Sequence, residues 1–193
     1  MIRLATVGTG WIVGEFLKGV REAGGICYTA CYSRDQQRGE AFAEEWGAQK
    51  VYTDLAQMAA DEEIDAVYIA SPNRLHYEQS KLFLQHGKHV ICEKPITVEP
   101  EQLMELQQLA EQKGLVYMEA LIGVYLPEMR ILQGAVELLG GVHLARLDFS
   151  QYSSKYPAYL AGEVPNIFNP KMATGGLMDL GIYCVYPAVM LFG

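Results

Sequence analysis

Ile2-Arg3-Leu4-Ala5-Thr6-Val7-Gly8-Thr9-Gly10-Trp11-Ile12-Val13-Gly14 follows Met1, and its reading decides the fold. A β-prone apolar run gives way to glycines, and from Trp11 to Ala23 the pattern is helical. Gly8 permits a tight turn, and Gly10 lets backbone come close to a ligand. The helix then offers the free N–H groups of its first turn, those of Trp11 and Ile12 included, and the positive end of its dipole. Strand, glycine turn and helix N-terminus together suit a pyrophosphate. Val13 stands where G-x-G-x-x-G has its third glycine, and Gly14 comes one place late, at a position that governs helix–strand packing.

Outward from this turn, short β-rich runs alternate with helical ones. Strands are expected over 3–7, 26–32, 50–52, 66–70, 89–92 and 116–120. Helices are expected over 11–23, 35–46, onward from a cap at Thr53 or Asp54, over 74–86, and over 100–113 with Gly114 as the stop. Repeated β-α-β units with continuous apolar strands predict α/β architecture: a Rossmann-type, doubly wound parallel sheet over residues 1–120. The texture then changes. Residues 126–139 read as a helix, 143–152 alternate like a half-exposed antiparallel strand, 153–174 lack periodicity, and 175–192 are helical again. Residues 121–193 thus read as the beginning of a second domain, with too few strands to close a sheet.

Half of the 193 residues are hydrophobic, a fifth are charged, and the net charge is −8. That balance fits an ordinary globular protein and argues against nucleic acid as a partner, because phosphate backbones need clustered Lys and Arg. A polyanionic cofactor would have to be held by local donors. Cys27, Cys31, Cys92 and Cys184 are scattered in apolar runs without metal-ligand spacing, and read as buried reduced thiols. The N-terminal apolar run is too short for a signal peptide. The longest one, from Leu180 to the end, contains Pro187 and falls short of a bilayer span. The expectation is a cytoplasmic protein without a membrane partner.

Each strand end after the first carries polar residues. Ser33-Arg34-Asp35, with Arg38 a turn later, follows the second strand, where an adenosine ribose would lie. Arg34 can stack on adenine and pair with a 2′-phosphate, and Ser33 can donate to the same group. This favours NADP, while Asp35 leaves NAD open. Ser71-Pro72-Asn73, with His76 on the next helix, ends the fourth strand, and Asn73 can serve as an N-cap. Glu93-Lys94-Pro95 ends the fifth. Lys94 there could exchange a proton with a substrate hydroxyl, oriented by Glu93, or could be a surface lysine before a turn. Asp179 and Tyr183, four apart, share a helix face, and Pro187 should kink that helix.

In this order, the glycine turn, Ser33-Arg34-Asp35, Ser71-Pro72-Asn73 with His76, Glu93-Lys94-Pro95 and Gly175-Gly176-Leu177-Met178-Asp179-Leu180-Gly181-Ile182-Tyr183 resemble the Gfo/Idh/MocA oxidoreductase family along the whole chain. Met118-Glu119-Ala120 and Tyr183 resemble the branch containing dimeric dihydrodiol dehydrogenase and glucose–fructose oxidoreductase. Many other members have His where Tyr183 stands. The resemblance implies a Rossmann domain, then an α/β domain whose mostly antiparallel sheet binds substrate and often forms a homo-oligomer interface. It implies hydride transfer between NAD(P) and a carbinol carbon of a sugar, cyclitol or diol. Lys94 would be the catalytic lysine, in a segment whose proline often follows a cis bond, and Asp179 with Tyr183 the substrate-binding and proton-transfer pair. The cofactor set would be Gly8, Gly10, Trp11, Ile12, Ser33, Arg34, Arg38, Ser71, Pro72, Asn73, His76, Glu93 and Lys94. Family members are considerably longer, so the chain looks C-terminally truncated, with most of the second sheet to follow Gly193. A dinucleotide-sensing regulator and an NAD-dependent glycosidase are the competing expectations.

Overall fold

A computed structural model describes residues Met1–Gly193, which divide into two compact units, Met1–Ala120 and Leu121–Gly193. The first unit runs β1 (Ile2–Val7), α1 (Trp11–Ala23), β2 (Ile26–Tyr32), α2 (Gln36–Trp46), β3 (Lys50–Tyr52) and α3 (Leu55–Ala60). It continues with β4 (Ala66–Ile69), α4 (His76–Gln85), β5 (His89–Glu93), α5 (Pro100–Lys113) and β6 (Tyr117–Ala120). All five strand pairings are parallel, in the order β3-β2-β1-β4-β5-β6, the doubly wound arrangement expected from the alternation of patterns.

Local chemistry accounts for most element ends. Asp35 caps α2 by accepting from the Arg38 N–H at 2.8 Å, and Asp54 caps α3 through the Ala56 N–H at 2.7 Å. Gly47 and Gly114 close α2 and α5 in the left-handed conformation. Asn73 is not an N-cap as expected: Pro72 precedes a single 3-10 turn, Asn73–Leu75, whose Asn73 carbonyl accepts the His76 N–H at the start of α4. Proline has no N–H and its fixed φ suits the entry to such a turn.

Side chains alternate across the sheet. Ala5, Val7, Val67, Ile69, Val90 and Cys92 face one way, against Met58, Phe83, Leu84 and Leu106 of α3, α4 and α5. Leu4, Cys31, Ala66 and Tyr68 face the other, against Val13, Leu17, Val20 and Phe42 of α1 and α2. Val13, the departure from the glycine pattern, is fully buried in this second layer. Gly14 meets a different demand: a Cβ there would lie 3.0 Å from Cζ2 of Trp46, so the glycine lets α1 pack closely on α2. Arg21 covers the same indole at 4.6 Å. Ahead of β4, Asp65 accepts from the Arg3 backbone N–H at 2.7 Å and from its guanidinium at 2.9 and 2.5 Å, tying the open ends of β1 and β4.

The second unit holds α6 (Pro127–Leu138), α7 (Tyr156–Leu160) and α8 (Ile182–Phe192), several 3-10 turns and one π-helical turn at Leu177–Gly181. Residues 143–152 form no strand, contrary to their alternating pattern. A strand must satisfy its N–H and C=O groups on a neighbour, and residues 121–193 supply none. The region expected to be irregular is instead organised by aromatics, with Tyr159 5.1 Å and Tyr156 6.4 Å from Phe168 between ring centres. Residues 170–192, a wider stretch than that from Leu180 onward, are by length and composition long and apolar enough to cross a membrane. They do not form one continuous helix, because Ala173 is left-handed and the π turn intervenes. Of the four thiols, Cys31 and Cys92 are buried as expected, and Cys27 and Cys184 are partly exposed; none is in a disulfide.

Two outcomes follow from this packing. Gly14→Val should cost about 1–3 kcal/mol in urea unfolding by overpacking against Trp46, and Trp46→Leu in the same chain should recover part of it. Asp65 is held down at about 2 by its hydrogen bonds to Arg3, against an ordinary value of 3.8. A depressed acid stabilises the fold above its unfolded pKa and loses that contribution as pH falls. Asp65→Asn should therefore lower the unfolding midpoint at pH 7, with the deficit closing between about pH 4 and pH 2.

Candidate active site of the first unit

Because the strands are parallel, all their carboxyl ends lie along one edge, where the loops carry the polar residues singled out above. At the β1 end, Gly8 has φ +114°, and a Cβ there would stand 3.0 Å from the Ala70 carbonyl oxygen. Gly10 is extended, faces open space and gives α1 no side-chain cap. The Val13 N–H donates back to Gly10 O at 3.1 Å, while those of Trp11 and Ile12 donate to no group in the chain. Trp11 is 78% exposed, so the mouth of the helix stands open to an anion. These are the features a dinucleotide pyrophosphate requires.

At the β2 end, Ser33 is buried and its Oγ accepts from the Asp35 N–H at 3.2 Å. The Asp35 carboxylate caps α2 through Oδ1. Arg34 and Arg38 are exposed, and Arg38 donates to Thr9 O at 3.4 Å, joining this loop to the glycine turn. A cationic pair in this position can hold a 2′-phosphate.

Between β4 and β6 the ends are linked side to side. The Tyr68 hydroxyl donates to Glu93 Oε1 at 2.6 Å, and Glu93 Oε2 accepts the Lys94 N–H at 3.2 Å. Ser71 Oγ donates to Gln79 Oε1 at 2.7 Å. The Lys94–Pro95 bond is cis, as the resemblance implied. His76 has no exposed surface, and its ring nitrogens lie 2.8 Å from Pro95 O and 2.8 Å from Ser71 O. This corrects its expected place among the cofactor contacts, because both nitrogens are taken by backbone. Burial pushes its pKa below the ordinary range, and the two carbonyls and Glu93 pull the other way.

Glu119, Tyr68 and Gln79 were not singled out from the sequence. Glu119 accepts the Ile96 N–H at 2.8 Å from the end of β6. Burial pushes its carboxyl above the ordinary range, Glu93 adds to the rise, and the Ile96 N–H and Lys94 oppose it. A carboxylate at a strand end was the one available signal, and it had been read only as part of a branch motif.

In the second unit, Asp179 lies in the π turn, its N–H on Gly175 O at 2.9 Å, and it lines a cavity of about 390 Å³ with Ser153, Ser154, Lys155 and Phe168 among others. Tyr183 opens the next turn of α8 and stacks on Phe149 at 4.9 Å between ring centres. Single π turns occur often at functional sites.

The family model described as an oxidoreductase family with an NAD-binding Rossmann fold, Gfo/Idh/MocA, matches residues 2–121. The chain belongs to this family. Among curated relatives it is 44% identical over 193 residues to scyllo-inositol 2-dehydrogenase (NADP(+)) of Bacillus subtilis, covering all of this chain and 59% of that protein. It is 32% identical over 166 residues to trans-1,2-dihydrobenzene-1,2-diol dehydrogenase of Mus musculus, covering 85% of this chain and 47% of that one. The chain thus spans about half to three-fifths of the length of these relatives. Among solved structures, a 3-ketoreductase of Actinomadura kijaniata in complex with NADP shares the fold, with TM-score 0.81 and 24% identity over 100% of this chain and 57% of that one.

Glu119 yields a prediction opposite in sign to that for Asp65. An acid whose folded pKa is raised leaves the folded state more protonated, so its contribution is present below the unfolded pKa and is lost as pH rises. Glu119→Gln, which can still accept from Ile96, should match wild type near pH 4 and exceed it in urea midpoint at pH 7.

Proposed function

We propose that the first unit binds a nicotinamide dinucleotide, NADP in preference to NAD, and serves hydride transfer at a carbinol carbon of a sugar, cyclitol or diol. The carrying observation is the row of strand ends: Gly8 and Gly10 with open helix N–H groups in the middle, Arg34 and Arg38 toward β3, and Lys94 toward β6. When bound, the nicotinamide supplies the hydride acceptor or donor. The first-turn N–H groups of α1 hold the pyrophosphate, and Arg34 with Ser33 holds the 2′-phosphate. Ser71 and Pro72 line the β4 end between these sites.

Lys94 serves as the catalytic lysine by hydrogen-bonding the substrate hydroxyl whose carbon changes oxidation state, and the proton of that hydroxyl passes to Tyr183 as general acid/base. Glu93, anchored by Tyr68, keeps the turn that carries Lys94 in register. Asp179 and Tyr183 serve the substrate side, as binding carboxylate and proton-transfer phenol, with the cavity beside Asp179 receiving substrate hydroxyls. The second unit is proposed as part of the substrate domain, in a cytoplasmic homo-oligomer. The names of the relatives, dehydrogenases of an inositol and a dihydrodiol, favour an enzyme over a regulator or a glycosidase.

Titration with NADPH and NADH, followed by nicotinamide fluorescence, tests the cofactor reading. NADPH should bind about 10- to 100-fold tighter, roughly the worth of one charge-assisted hydrogen bond, and Arg34→Ala should erase the difference. Equal affinities unaffected by Arg34→Ala would overturn the NADP preference. Turnover of a panel of cyclitols, sugars and dihydrodiols that survives Lys94→Ala at the full rate would remove the role of Lys94.

A further inference from the structure

We infer that His76 is the positioning residue for Lys94: its imidazole fixes the turn that carries the lysine by bonding the Pro95 carbonyl, and anchors that turn to the β4 end through Ser71. The inference rests on the reading of Lys94 given above. His76 opens α4, behind the edge rather than on it, and is fully buried. β4 and β5 are adjacent and parallel, with Ile69 opposite Cys92, so the loops after them leave the sheet side by side. The ring spans those two loops, 2.8 Å from an oxygen of each. Its partners are Ser71, two residues beyond β4, and Pro95, two beyond β5.

The geometry is more demanding than a buried histidine requires. A neutral imidazole carries one N–H and can satisfy one carbonyl, which we assign to Nδ1 donating to Pro95 O, with Nε2 beside Ser71 O. A buried apolar residue of similar volume would fill the same space and leave two orphaned acceptors. Two further ties hold the turn on either side of Pro95. On one side of Pro95 the Lys94 N–H donates to the Glu93 carboxylate, and on the other the Ile96 N–H donates to Glu119. Pro95 has no N–H, so the backbone of this residue can be held only through its carbonyl. His76 holds that carbonyl.

The test compares His76→Asn, whose amide N–H can replace Nδ1 on Pro95, with His76→Gln, which reaches the Nε2 position on Ser71, and His76→Leu, which offers neither. Two readouts are taken: acetylation of Lys94 in the cofactor-free protein, by mass spectrometry relative to Lys18 and Lys113, and steady-state turnover. His76→Leu and His76→Gln should shift the relative labelling of Lys94 by about threefold or more and lower kcat about 10- to 100-fold, with a smaller change in KM. His76→Asn should restore both. Wild-type labelling in all three variants overturns the inference, and so does a parallel change at Lys18 and Lys113, which would mean general loosening. If His76→Leu does not fold, the contrast between Asn and Gln decides. Full turnover by Lys94→Ala would remove the proposed role of the lysine, and the labelling arm would still decide whether His76 positions it.

Discussion

Where β1 ends, Gly8 turns with φ +114° against the carbonyl of Ala70, and a Cβ would stand 3.0 Å from that oxygen. The close approach occurs where the strand order reverses direction, with β2 and β3 on one side of β1 and β4, β5 and β6 on the other. From this point α1 leaves over one face, and the chain after β4 leaves toward the other. The loops part, and a crevice opens above the sheet edge. A bulkier residue at Gly8 would push β1 and β4 apart at the place where the Ala70 N–H bonds Val7 O at 3.0 Å. The positions of Arg34, Ser71 and Lys94 relative to the glycine turn all derive from strands registered on this pair.

The first unit was legible because its elements have local causes. Asp35, Asp54, Gly47 and Gly114 mark helix ends within one turn of themselves, and apolar runs of strand length marked β1 to β6. Val13 looked like a flaw in the glycine pattern, yet it packs fully buried, while Gly14 answers to Trp46 on a different element. That correction needed a contact across 32 positions. The ties around Lys94 were illegible for the same reason. His76 reaches Pro95 over 19 positions, Glu119 reaches Ile96 over 23, and Tyr68 reaches Glu93 over 25. Periodicity and capping report on neighbours four residues apart and carry no information at that range.

Residues 143–152 illustrate the complementary failure. Their alternation states a preference for pairing, and a preference becomes a strand where a second ladder of donors and acceptors is present. The aromatics of 152–168 succeed where the strand does not, because Tyr156, Tyr159 and Phe168 lie close in sequence and cluster without a distant partner.

A chain with net charge −8 that is to hold a polyanion and move a proton must arrange its charges locally. At the β2 end Arg34 and Arg38 outnumber Asp35, which caps α2, and Arg38 ties this loop to the glycine turn through Thr9 O. At the β5 end two carboxyls, Glu93 and Glu119, flank the turn of Lys94. Burial biases Glu119 toward its neutral form, and that limits the negative charge gathered beside the lysine. The ties on this turn act on Lys94 N, Pro95 O and Ile96 N, so the backbone that carries the lysine has hydrogen bonds of its own on both sides of Pro95.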